Sequence, residues 1–202
     1  MALVQLLEQE ALKRGLLGES TELTLELAFA LVRDLRYQRA SSRHPEAIIT
    51  EWRGTCSGKH YLLQKLLAEL GYQTKLMICT HQFTMKNSSH FPQILRDLLR
   101  ENPIPDVHNF MRLKTEKGWM DIDATWPISA QKLGLTVNPK LELGQDMRIA
   151  CEAIQIWEVP SNIEAQRFKE ELIQKHCQFQ IEERERFIQA LSDWLNSEFT
   201  EL

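Results

Sequence analysis

Residues 52–70, WRGTCSGKHYLLQKLLAEL, set a Gly-x-Cys-x-Gly lead-in directly before an amphipathic segment. Leu62, Leu63, Leu66, Leu67 and Leu70 recur at helical spacing, which predicts a helix with one side on a core and Lys59, Lys65 and Glu69 in water. Gly71 supplies the stop. Cys56 then falls in the first turn, where unpaired backbone N–H groups and the positive end of the helix dipole favour a thiolate. Gly54 and Gly58 on either side let a backbone or a substrate come close. A nucleophile is one reading of this cysteine; a small buried apolar side chain is the other.

The rest of the composition narrows the class of protein. A chain of 202 residues, 43% hydrophobic and 26% charged, is long enough for one solid core, with room for a helical appendage. A formal charge of -4 with scattered Lys and Arg gives no electrostatic reason to expect nucleic acid. The N-terminal MALVQLLEQEALKRG carries Glu8, Glu10, Lys13 and Arg14, so neither a secretory signal nor a membrane span is expected. Cys56, Cys79, Cys151 and Cys177 contain no C-x-x-C pair, which argues against a zinc site and a disulfide framework and for a reducing, cytoplasmic setting. His176-Cys177 lacks a second paired cluster, so no metal or other cofactor is expected.

Around the cysteine helix, periodicity predicts a helix over residues 2–16. A second, capped by Ser20 or Thr21, runs to about Tyr37, and a short helical or extended link follows at 46–51. Past Gly71 the period shortens: TKLMICTHQF at 74–83 reads as a strand with Cys79 and His81 on one face. A helix follows at 91–100, and Asn102-Pro103-Ile104-Pro105-Asp106 turns the chain. Strands at 107–114 and 119–123, joined by the four-residue turn Thr115-Glu116-Lys117-Gly118, form a hairpin, and 154–159 is a further possible strand. Two charged helices close the chain at 163–176 and 181–199, where Glu182-Glu183-Arg184-Glu185-Arg186 reads as a solvated face or, alternatively, a docking surface for a protein partner. Residues 1–160 thus make a core with N-terminal helices, and 161–202 a helical extension packed on it.

A thiolate nucleophile needs a base to manage its proton, and the base needs an orienting partner. Cys56, His108 and Asp123 meet this requirement in the order helix, strand, strand. Asp121 lies on the same predicted strand face and competes with Asp123, the choice resting on hairpin register. Trp52 offers an indole N–H as a second oxyanion donor beside the Cys56 backbone N–H, and Tyr61, Phe110 and Trp126 are aromatic candidates for an acyl pocket or for core. His60, at i+4 from Cys56, reads as a surface or internally satisfied helix histidine, and His44, His81 and His90 carry no assigned role.

These blocks resemble the transglutaminase-like core of the papain-like cysteine enzyme superfamily: RYQ at 36–38, GTCSGKHYLLQKLLAELGYQTKL at 54–76, HNFMRL at 108–113 and GWMDIDATWP at 118–127. The resemblance spans about residues 22–127 and implies an α+β fold, with an antiparallel sheet packed on the helix that bears the nucleophile and flanking helices at both ends. It makes Cys56 similar to the family nucleophile, His108 to its general base and, through D-A-T-W, Asp123 rather than Asp121 to its orienting acid. Phe110 stands where tryptophan is usual, keeping an aromatic wall. Arg53-Gly54-Thr55-Cys56 is also similar to the R-G-G-x-C of arylamine N-acetyltransferases, but Thr125-Trp126 sides with transglutaminase-like proteins. The absence of a D-x-D-x-D-G loop argues against a calcium-activated cross-linking enzyme.

The expected function is acyl transfer at a peptide, isopeptide or glutamine carboxamide through a thioester. Hydrolysis is favoured over cross-linking because no second amine-binding domain is indicated. The alternatives are an arylamine-N-acetyltransferase-like acyl transfer and a non-catalytic interaction scaffold that uses its terminal helices.

Overall fold

A computed structural model describes residues 1–199; the last three residues of the 161–202 extension lie outside the described residues. The cysteine helix, Cys56–Glu69 in sequence, is the fourth helix, α4, and buries Leu62, Leu63, Leu66 and Leu67 completely. It ends at Gly71 in the left-handed conformation (φ +86°), where the Gly71 N–H bonds the Ala68 carbonyl and the Tyr72 N–H the Leu67 carbonyl. Glu69 is exposed, but its carboxylate accepts the backbone N–H groups of Leu3 (3.0 Å) and Val4 (2.9 Å). It thereby caps the first helix, α1 (Leu3–Lys13), whose own N-cap, Ala2, has no acceptor to offer.

Lys59 corrects the expected wet face: it is fully buried, its ammonium donating to the carbonyls of Arg33 (2.8 Å) and Thr125 (2.9 Å). Arg33 closes α2 (Leu25–Asp34), so the cation sits at the negative end of that helix dipole. Helix α2 is shorter at both ends than its apolar pattern predicts. Thr24, not Ser20 or Thr21, caps it through the Leu27 N–H, while Glu8 holds the Leu23 N–H before it. At its far end the chain turns extended at Leu35, and Arg36 bridges Arg53 in parallel. The link at 46–51 is helical, α3 (Pro45–Glu51), and a Cβ on Gly58 would come within 2.6 Å of Ile48 Cδ1. Gly58 therefore serves the close approach of α3 to α4, not that of a substrate.

The sheet has four antiparallel strands in the order β3-β2-β1-β4: β1 (Thr74–Phe83), β2 (Ile104–Thr115), β3 (Gly118–Ile122) and β4 (Gln155–Glu158). Strand β2 begins before the expected turn ends, taking in Pro105 and Asp106. Proline is tolerated there because β3 pairs only with Met111–Thr115, leaving that edge of β2 without a strand partner at Pro105 among the described residues. Thr115 pairs directly with Gly118, so the hairpin loop is the two residues Glu116 and Lys117, with Gly118 at φ +123°.

Between β1 and β2 lies a short helix, α5 (Gln93–Leu98), and the two closing helices are α6 (Ala165–Cys177) and α7 (Ile181–Phe199). Leu172 and Cys177 of α6 pack with Ile78 and Val107, and Phe187, Leu191 and Leu195 of α7 join Phe91, Leu95 and Ile104. Arg184 departs from the expected solvated face: it is buried and its Nε donates to Asp106 Oδ1 at 2.7 Å, pinning α7 to the start of β2. Among the described residues no helix is long and apolar enough to cross a membrane.

Candidate active site

Cys56 opens α4 at the floor of a cavity of about 330 Å³ under the C-terminal helices, lined also by Tyr37, Thr55, Ser57, Lys169 and Arg184. Only 7% of its surface is exposed. Burial by itself would push its thiol up; the Lys169 charge, a hydrogen bond with His108 and the Asn109 backbone N–H outweigh that and bring it to about 5.

His108 lies near the middle of β2 and is buried. Its Nε2 meets Asp123 Oδ2 at 2.7 Å, which leaves Nδ1 as the nitrogen that faces Cys56. Burial opposes its protonation, but the Asp123 charge and the hydrogen bonds on both sides hold it well above the ordinary imidazole value. Asp123 sits just past the end of β3, released from the strand alternation that keeps Asp121 on the outer face. Its Oδ1 accepts the Thr125 N–H (3.0 Å) and its Oδ2 also accepts the Ala150 N–H (2.8 Å). Despite burial, the His108 charge holds the carboxyl well below its ordinary range. Asp121 instead pairs with Arg112 at 2.8 Å.

His60 is fully buried and acts as a strap. Its Nε2 accepts the Ala124 N–H (3.0 Å), so Nδ1 carries the proton donated to the Cys56 carbonyl (2.7 Å). Burial lowers it to about 4, which keeps the ring neutral. It ties the first turn of the cysteine helix to the segment bearing Asp123 and has no free nitrogen with which to act as a base.

Lys169 is the functional side chain that sequence reasoning missed. From α6 its ammonium donates to Ser57 Oγ (2.9 Å) and lies 3.4 Å from Cys56 Sγ, and Ser57 in turn donates to Asn109 Oδ1 (2.9 Å). The available signal was periodic: Lys169 stands three and four residues before Leu172 and Ile173, on the side of α6 that packs inward.

The aromatic candidates are dispersed. Trp52 sits at φ +53° under the Arg14 guanidinium, 4.7 Å from its ring centre, and does not line the Cys56 cavity. Tyr61 is half-buried and donates to Gln166 Oε1 at 3.4 Å. Phe110 is fully buried against Met77 and Cys79. Trp126 packs tilted against Tyr37, ring centres 4.5 Å apart, so it backs the cavity wall and does not form it.

Chemically, the arrangement favours the anionic form of a sulfur next to an imidazole that a carboxylate orients, with a lysine amine alongside. Among the described residues no group of three or more His, Cys, Asp or Glu side chains is disposed to hold a metal ion. No protein-family model matches the chain, and neither curated proteins nor solved structures provide a match.

Proposed function

We propose that the chain is a transglutaminase-like cysteine enzyme of the papain-like superfamily that cleaves an amide through a thioester. The Cys56 thiolate adds to the carbonyl carbon of a peptide, isopeptide or glutamine carboxamide, forming the C–S bond. The His108 imidazolium then gives its Nδ1 proton to the departing nitrogen as the C–N bond breaks. Water, deprotonated by the now neutral His108, attacks the thioester, and the sulfur leaves as thiolate. Asp123 keeps the imidazole oriented and stabilises its charged form.

The observation that carries this reading is the Asp123–His108 contact at 2.7 Å beside a helix-initiating cysteine brought down to about 5. A thiol-directed electrophile built on an amide mimic is expected to label the protein at Cys56, and Cys56→Ala to abolish the label. Labelling that persists in that variant rules Cys56 out as nucleophile.

The scaffold alternative draws on a separate observation: α6 covers Cys56, with Lys169 only 5% exposed against it. The same labelling separates the two, since a scaffold leaves wild-type Cys56 unmodified under conditions that alkylate an ordinary exposed thiol.

A further inference from the structure

Behind the catalytic carboxylate, on the side of the sheet away from Lys169, two other cysteines meet. Cys79 of β1 is fully buried, and its Sγ lies 3.6 Å from that of Cys151, which is half-buried and lines a separate cavity of about 240 Å³ with His81, Phe91 and Ala150. Both thiols are free. The loop that brings Cys151 there is held firmly: Asn138 bonds both the Asp123 and the Arg148 carbonyls at 2.9 Å, and the Ile154 N–H bonds the Thr80 carbonyl at 2.8 Å.

We propose that Cys79 and Cys151 form an oxidative modification site, a dithiol that closes to a disulfide on exposure to a hydroperoxide. Peroxide entering the cavity reaches the pair from the side that Cys151 lines. One sulfur of the pair takes one peroxide oxygen, becoming a sulfenic acid as one water forms. The other sulfur then attacks it; the S–S bond forms, the S–O bond breaks, and the hydroxide leaves with the thiol proton as a second water. Two thiols are oxidised by two electrons and one peroxide is reduced.

Closing the bond draws the sulfurs from 3.6 Å to about 2.05 Å, a movement shared between a central strand and the 148–151 loop. Both carriers support the site at Cys56. Cys79 is the register partner of His108, and Ala150, immediately before Cys151, donates its N–H to Asp123. The disulfide thus shifts the support of the carboxylate that orients His108 and slows reaction at Cys56. The bond itself does not depend on the acyl-transfer reading.

The test is peptide mapping of the full chain after hydrogen peroxide treatment, with free thiols blocked before digestion by trypsin. Residues 76–86 (LMICTHQFTMK) and 149–167 (IACEAIQIWEVPSNIEAQR) are expected as one cross-linked species that dithiothreitol separates. Cys79→Ser and Cys151→Ser each remove it. Oxidation of Cys56 in 54–59 without that cross-linked pair, or a cross-link that joins other cysteines, overturns the proposal. In molecules carrying the bond and a reduced Cys56, iodoacetamide alkylation of Cys56 is expected to be several-fold slower than in untreated protein. An unchanged rate overturns the coupling to the site, whatever becomes of the acyl-transfer reading.

Discussion

Lys169 reaches Cys56 from 113 residues further along the chain, and its charge lowers the thiol pKa together with the hydrogen bond and charge of His108. Charge and access are both at stake in this one side chain, since the ammonium that stabilises the thiolate also covers it. Lys169→Met separates them. Loss of one close cation is expected to raise the midpoint of the Cys56 alkylation–pH profile by about 1–3 pH units. The plateau rate above that midpoint holds or rises, because the cover is reduced. A midpoint unmoved in this variant assigns the low thiol value to His108 and the helix terminus alone.

At the scale of elements, the pair of C-terminal helices is held over the cysteine by apolar packing, by Lys169 of α6 and by the buried Arg184–Asp106 ion pair of α7. Burial would raise the Asp106 carboxyl, but Arg184 and His81 hold it well below the usual carboxylate range. Its stabilising contribution is therefore complete above the unfolded-state value of about 3.9 and is lost as the pH falls through the lower folded value. Arg184→Met leaves buried Asp106 with His81 as its one close partner among the described residues and is expected to cost about 3–5 kcal/mol in denaturant unfolding. Arg184→Met combined with Asp106→Asn is expected to recover part of that loss, since no bare charge remains. A cost no greater than that of an ordinary surface substitution contradicts the inward placement of Arg184.

Across the whole molecule, what was legible in the sequence followed the apolar residues. The leucines of α4, the β1 strand and the span of α7 stand where their period puts them, because apolar spacing reports which face is buried. Lys59, Lys169 and Arg184 were missed for one shared reason. Each is buried by partners remote in the chain: Arg33 and Thr125 carbonyls for Lys59, Ser57 and Cys56 for Lys169, Asp106 for Arg184. Period alone puts each of the three on an apolar face, three and four residues before a pair of apolar side chains, but a charged residue type is assigned to water by default, and the sequence carries no record of partners so remote. The choice between Asp121 and Asp123 was open at the level of strand faces because it depends on where β3 stops, and Ile122 is its last residue.

The acyl-transfer reading rests on an anionic sulfur at residue 56. The rate of Cys56 alkylation by iodoacetamide, followed as a function of pH on the tryptic peptide 54–59, reads that directly. A midpoint close to 5, with the rate flat through neutrality, is the expected result. A midpoint near the ordinary thiol value of about 8.5 contradicts it.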